Sequence, residues 1–190
     1  MVDANEAKDI LYNMCSKIAG GLKLAVKKDY ILPMEIKMNP FTFEPYVADI
    51  QKNASYLTDI CIGRKISDED VMPGICIQVQ ENIDARKIND FFEQFCNQNK
   101  NFKHIHPQLR RGILLFGPDP IPKEMMYANY NIKAPTTDFI EVLGHAWDQE
   151  EKISSILEDL IQDQITASEN IARVIYGKDE FRSYRGSIIS

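Results

Sequence analysis

The sequence predicts an α+β fold: a small, mostly antiparallel sheet covered by helices, with a C-terminal helical extension. Three observations carry that prediction. Apolar residues recur at helical spacing in two separated stretches, residues 7–19 and 82–96. Residues 75–79 alternate and residues 112–116 form a short apolar run, as strands do. A third helical pattern fills the region after residue 138. With 190 residues, 44% hydrophobic and 26% charged, the chain can bury a core and lies well away from disordered or fibrous compositions.

Taken in order, Ile10, Leu11, Met14, Ile18 and Ala19 share one face of a first helix that stops at Gly20 and Gly21. Leu22, Leu24 and Val26 then alternate with polar or small neighbours. Lys27, Lys28 and Asp29 read as a turn, and residues 30–38 read as a return strand around Pro33. The result is a β-hairpin whose Pro-bearing strand belongs at an edge, because Pro cannot donate to a ladder. Pro45 suits the first turn of a second helix, with Tyr46, Val47, Ile50, Ala54, Leu57 and Cys61 as its stripe and Gly63 as its end. After a polar connection over residues 64–73, Ile75, Ile77 and Val79 predict a strand with one buried face. Asn82 can cap a third helix, in which Ile88, Phe91, Phe92, Phe95 and Cys96 form a stripe that packs on the sheet.

Residues 97–111 read as a polar, basic, exposed stretch and residues 112–116 as a buried strand. Pro118, Pro120 and Pro122 then end both kinds of element, since each removes a donor and restricts its neighbour. A short helix is expected over residues 123–129. Asp138 and Glu141 resemble a capping box opening a helical pattern that reaches Tyr176. Uninterrupted, that pattern would span roughly 57 Å at 1.5 Å per residue. It must therefore break near Gly144 or near Ser154 and Ser155, or project. The predicted organisation is an adaptor-like α+β domain over residues 1–116, a Pro-rich connection with a short helix over 117–136, and an acidic helical region with a tail over 137–190.

A net charge of −6 excludes a general nucleic-acid binder, which needs a broad basic surface to displace counterions from phosphate. Asp3, Glu6 and Asp9 interrupt the start of the chain, which does not read as a signal peptide. The apolar runs are too short to span a bilayer, so a soluble cytoplasmic protein without direct membrane insertion is expected. Cys15, Cys61, Cys76 and Cys96 form no C-x-x-C pair and read as reduced core thiols.

Candidate chemistry is sparse. His104 and His106 alternate as two imidazole ligands on a strand could, but Lys103, Arg110 and Arg111 crowd them with positive charge and His145 lies far along the chain. Asp68, Glu69 and Asp70 lack the spacing and central Gly of a calcium loop and read as a solvated connection. Asp119, between two prolines, reads as a turn residue. Glu141 and His145 would share a helix face without a second such pair to complete a carboxylate metal site. Neither a nucleophile elbow nor a glycine-rich phosphate loop is present in the sequence. We expect no catalytic residues, metal or cofactor.

Charge layout is more telling. Between residues 138 and 170 nine acidic residues face one base, Lys152, which gives −8 and leaves the rest of the chain at about +2. The same pattern carries Trp147, Ile153, Ile156, Leu157, Leu160 and Ile161, an apolar stripe able to dock a partner helix, with Glu150, Glu151, Glu158 and Asp159 to steer it. These ten are the candidate partner-binding residues. The basic residues Lys100, Lys103, Arg110 and Arg111 form a complementary stretch that either pairs with the acidic helix or faces another partner.

Residues 8–97 also resemble a known family. Met14 to Ala19 in the first helix, the extended piece at Tyr30 and Ile31, the helix ending in Leu57 through Gly63, the strand from Gly74 to Val79 and the Phe-rich helix after Ile83 are similar, in order and residues, to the small acidic chaperone-adaptor subunits of Dot/Icm-type type IV secretion coupling complexes. That resemblance implies a non-enzymatic adaptor that holds a coupling-protein tail, other adaptor subunits or effectors at the cytoplasmic face of the inner membrane. It covers half the chain and brings no catalytic residues. A structural subunit of a phage or secretion assembly and a metal-dependent enzyme using the histidines or residues 68–70 are the alternatives.

Overall fold

The computed structural model describes residues 3–42, 44–48, 52–81, 85–117, 137–144 and 149–176. Helix α1 spans Ala4–Gly21, α2 Ala85–Ile105 and α3 Glu150–Tyr176. The strands are β1 Ala25–Ile31, β2 Ile36–Met38, β3 Pro45–Val47, β4 Leu57–Lys65, β5 Val71–Glu81, β6 Arg110–Phe116 and β7 Phe139–Val142. Five of them form one sheet in the order β1-β4-β5-β6-β7, and β2 and β3 form a separate antiparallel pair. The β1–β4 and β4–β5 interfaces are antiparallel, whereas β5–β6 and β6–β7 are parallel. The sheet is thus mixed. A tight turn joins β4 to β5, but α2 carries the chain across the sheet before β6, which lands it parallel to β5.

Helices cover both faces. On one, α1 buries Ala7, Leu11, Met14, Cys15 and Ala19, and α3 buries Ile153, Leu157, Leu160, Ile161 and Ile165, over Ile60, Ile62, Ile75, Ile77 and Leu114. On the other, α2 lays Phe92, Phe95 and Phe102 over Cys61, Cys76, Ile113, Leu115 and Ile140. Every residue of β5 from Val71 to Ile77 is buried. The expected single buried face of this strand becomes two, because it sits mid-sheet between helical layers.

The helix expected after Pro45 is not there. Its place holds β3, a 3-10 turn at Ala54–Tyr56 and β4. β4 is buried on both faces, so it shows no period of two, and its apolar residues fall by coincidence at helical spacing. The β-branched Thr58, Ile60 and Ile62 favour the extended chain. Gly63 is not a helix end but a point of close backbone approach: a Cβ there would lie 1.8 Å from the Met72 carbonyl oxygen. The register shifts between Ile62 and Gly63, and Pro73 sits opposite, where the interrupted ladder makes no demand on its missing N–H.

The turn expected at residues 27–29 is also a strand. β1 runs through it with Asp29 at φ 47°, a left-handed conformation that Asp tolerates. Lys28 pairs with Asp9, and Lys8 donates to Asp29 at 2.9 Å, so the polar residues of β1 are matched by α1. The return strand expected over residues 30–38 shrinks to β2, which pairs with β3 and leaves Pro33 outside.

The acidic pattern breaks where Gly144 adopts φ 48°. Before that break Phe139–Val142 is strand β7, not helix, and after it α3 runs to Tyr176. Neither β7 nor α3 is therefore an appendage: β7 continues the sheet beside β6, and α3 packs against α1 and β5. The connection and short helix expected over 117–136 fall, beyond Gly117, outside the described residues.

Candidate functional site

Arg111 is the sheet's most unusual core residue. It stands in β6 beside Cys76 of β5, which in turn faces Cys61 of β4. The alternation that buries Ile113 and Leu115 under α2 carries Arg111 to the same face. Only 2% of it is exposed. Its guanidinium lies over two rings of α2, 3.9 Å from the Phe95 centroid and 4.1 Å from that of Phe102. Nη1 donates to the Phe95 carbonyl at 3.0 Å and Nη2 to Gln98 Oε1 at 3.4 Å. Both acceptors are neutral. Burial draws its pKa down to about 10, which leaves it a cation at neutral pH.

The nearby acid is already engaged. Asp138 accepts from Lys103 Nζ at 2.5 Å, Arg110 Nη1 at 3.0 Å and the Arg111 backbone N–H at 2.7 Å. It thus ties the end of α2 to the start of β6 and does not cap a helix. Among the described residues, no carboxylate comes within 4 Å of the Arg111 guanidinium.

This cation lines a cleft of about 230 Å³ between α2 and the start of β4. The other walls are Ala54, Ser55 and Leu57 on one side, Phe91, Gln94, Phe95 and Gln98 on the other, and Gln78 between. Leu57 is 45% exposed at the rim. A shallower groove continues along α2 past Gln94 and Gln98 to Asp90, Glu93, Asn97 and Asn101. The arrangement offers an apolar wall, neutral amides and one buried positive charge, which suits a side chain carrying a single anionic group.

The residues singled out from sequence are dispersed. Ile153, Leu157, Leu160 and Ile161 are buried against the sheet and Ile156 packs beside them, so this stripe faces inward and offers nothing to a partner helix. Glu150, Glu151, Glu158 and Asp159 are exposed on the opposite side of α3. Trp147 and His145 lie outside the described residues, as does Asp119. His104 and His106 sit at the end of α2 and just beyond it, not on a strand. His104 is exposed, while His106 is buried with Nε2 2.7 Å from the Pro33 carbonyl. Among the described residues no three His, Cys, Asp or Glu side chains gather as a metal site. Asp68 is paired with Lys65, which holds its carboxyl below the usual range, and Asp70 accepts from the Tyr30 hydroxyl at 3.1 Å. Glu141 is in β7, not on a helix.

The basic stretch does not meet the acidic helix as a block. Lys103 and Arg110 pair with Asp138, while Arg110 Nε reaches Gln164 of α3 at 2.9 Å. A further link to α3 comes from β4, where Arg64 donates to Glu169 at 2.9 Å. The stretch is exposed only in part: Lys100 and His104 are exposed, whereas Phe102, Ile105, His106, Gln108, Leu109 and Arg111 are buried. In the sequence Arg111 is masked by its basic neighbours Lys100, Lys103 and Arg110. Its two-residue spacing from Ile113 and Leu115 was the signal that could have found it.

No protein-family model, curated protein or solved structure matches the chain. No helix of the described residues is long and apolar enough to cross a membrane.

Proposed function

We propose that this chain is a non-enzymatic adaptor that captures a segment of a partner protein. The observation that carries the reading is the cleft between α2 and β4, where an exposed apolar rim at Leu57, half-buried Phe91 and neutral amides surround a buried guanidinium. Such a combination suits an extended segment that inserts one side chain and rests the remainder on the groove of α2. The exposed carboxylates Glu150, Glu151, Glu158 and Asp159 supply long-range steering and repel acidic surfaces, a role that needs no burial. The resemblance of residues 8–97 to secretion adaptor subunits supports the same reading. In that setting the captured segment belongs to a coupling-protein tail, another adaptor subunit or an effector, at the cytoplasmic face of the inner membrane.

The test is site-specific photo-crosslinking in the native host. With the crosslinker at position 57, a discrete adduct with another protein is expected. With the crosslinker at exposed Asn13 on α1, across the sheet, that adduct is absent. Adducts that are absent at both positions, or identical at both, would overturn the reading.

A further inference from the structure

We propose that the cleft takes a carboxylate of the partner segment, received by the Arg111 guanidinium. The inference deepens the adaptor reading and rests on it for the identity of the ligand as a peptide. A guanidinium presents five N–H donors in a planar fork. Among the described residues two of Arg111's five have acceptors, the Phe95 carbonyl and Gln98 Oε1, and neither is charged. The residue lines the cleft, and its other donors have no acceptor among the described residues.

A buried cation with neutral partners carries an uncompensated desolvation cost, which the π-faces of Phe95 and Phe102 offset only in part. An incoming carboxylate would meet it bidentately in a water-poor site, where such a pair is strongest. Asp138 cannot serve, because its oxygens are held by Lys103, Arg110 and a backbone N–H.

Size and charge narrow the ligand further. About 230 Å³ admits one side chain or a chain end, not a nucleotide. Asp90 and Glu93 line the adjoining groove, so a second negative charge on the ligand is repelled and a flanking basic residue is welcomed. The expected ligand is one carboxylate with basic neighbours, either an acidic side chain or a C-terminus.

NMR titration of the full chain with three peptides tests this and separates the two sources. The peptides are N-acetylated, C-terminally amidated Lys-Glu-Lys, amidated Lys-Gln-Lys, and Lys-Gln-Lys with a free C-terminus. At least one carboxylate-bearing peptide is expected to bind tenfold or more tightly than amidated Lys-Gln-Lys, with shifts centred on Arg111, Gln98 and Ser55. Preference for the first peptide identifies a side chain, and preference for the third a chain end. Arg111→Met should abolish the preference but empties a core position and could unfold the protein. The decisive variant is Gln98→Glu, nearly isosteric, which sets an internal carboxylate on the guanidinium. It is expected to weaken the preferred peptide tenfold or more while leaving the melting temperature at or above that of the parent.

Equal binding of all three peptides, or binding that Gln98→Glu leaves unchanged, overturns the proposal. A cross-linked partner at position 57 together with equal peptide binding would sink the carboxylate assignment and leave the adaptor reading standing. Carboxylate selectivity without any cross-linked partner would do the reverse.

Discussion

Gly63 and Pro73 face each other across the β4–β5 interface, and each tolerates what the other requires. The backbones approach so closely there that a Cβ at residue 63 would fall inside the Met72 carbonyl. A Gly63→Ala variant is therefore expected to lose about 3 kcal/mol, the upper end of overpacking costs, since backbone and not a side-chain tip must move. Chemical denaturation would measure it, and a loss below about 1 kcal/mol would show that the strands separate freely. The four thiols make a second residue-scale test. Cys15, Cys61 and Cys76 are buried and Cys96 is partly exposed. Burial pushes the Cys15 thiol up to about 12, so at pH 8 to 9 its reactive thiolate is scarce. In the native protein an alkylating reagent should modify Cys96 first and Cys15 only on unfolding. Rapid labelling of Cys15 under native conditions would contradict the packing of α1.

At the scale of elements, α3 presents two chemistries from neighbouring residues. Leu157 is fully buried and Glu158 exposed, so Leu157→Ala should cost about 2–5 kcal/mol and Glu158→Gln within about 0.5 kcal/mol. Comparable losses from the two would mean that α3 does not lie on the sheet as described. α1 is held partly by Lys8, which donates to Asp59 at 2.7 Å and Asp29 at 2.9 Å. Burial opposes the Lys8 charge, but hydrogen bonds to these two carboxylates outweigh it and raise the pKa. A raised cationic pKa stabilises the fold fully below the unfolded value near 10.5 and loses that contribution as pH rises through the folded value. Melting curves should show a Lys8→Met deficit that is largest at neutral pH and narrows as the pH rises past 10.5. A deficit independent of pH would assign the effect to packing alone. The elements also show how far periodicity can be read. α1, α2 and the end of α3 were legible because each exposes a polar face, which makes a period of 3.6 visible. β4 resembles a helix in sequence because burial on both faces erases the period of two.

At the scale of the whole molecule, β7 and α3 complete the sheet and close one side of its core. The fragment 1–136 should consequently fail to melt cooperatively, whereas the full chain does, because Ile60, Ile62, Ile75 and Ile77 would lose the cover of α3. A folded fragment, followed by circular dichroism, would restore the division into a domain and an extension. The candidate cleft belongs to this scale as well. It draws on the turn at Ala54–Tyr56, β4, β5, α2 and β6, segments separated by up to about a third of the chain.

By itself the sequence determined the α+β class, the first and Phe-rich helices, the strands at residues 75–79 and 112–116, and the segregation of negative charge after residue 138. These are local properties, set by spacing and composition within a few turns of chain. Only the tertiary structure decided that the sheet is mixed, that the apolar stripe of α3 is core, and that Arg111 is a buried cation at a cleft. Burial and neutralisation of a charge depend on what other segments bring beside it, and no pattern along β6 states that its arginine would meet two phenylalanines and an amide while the nearby aspartate was held by Lys103 and Arg110.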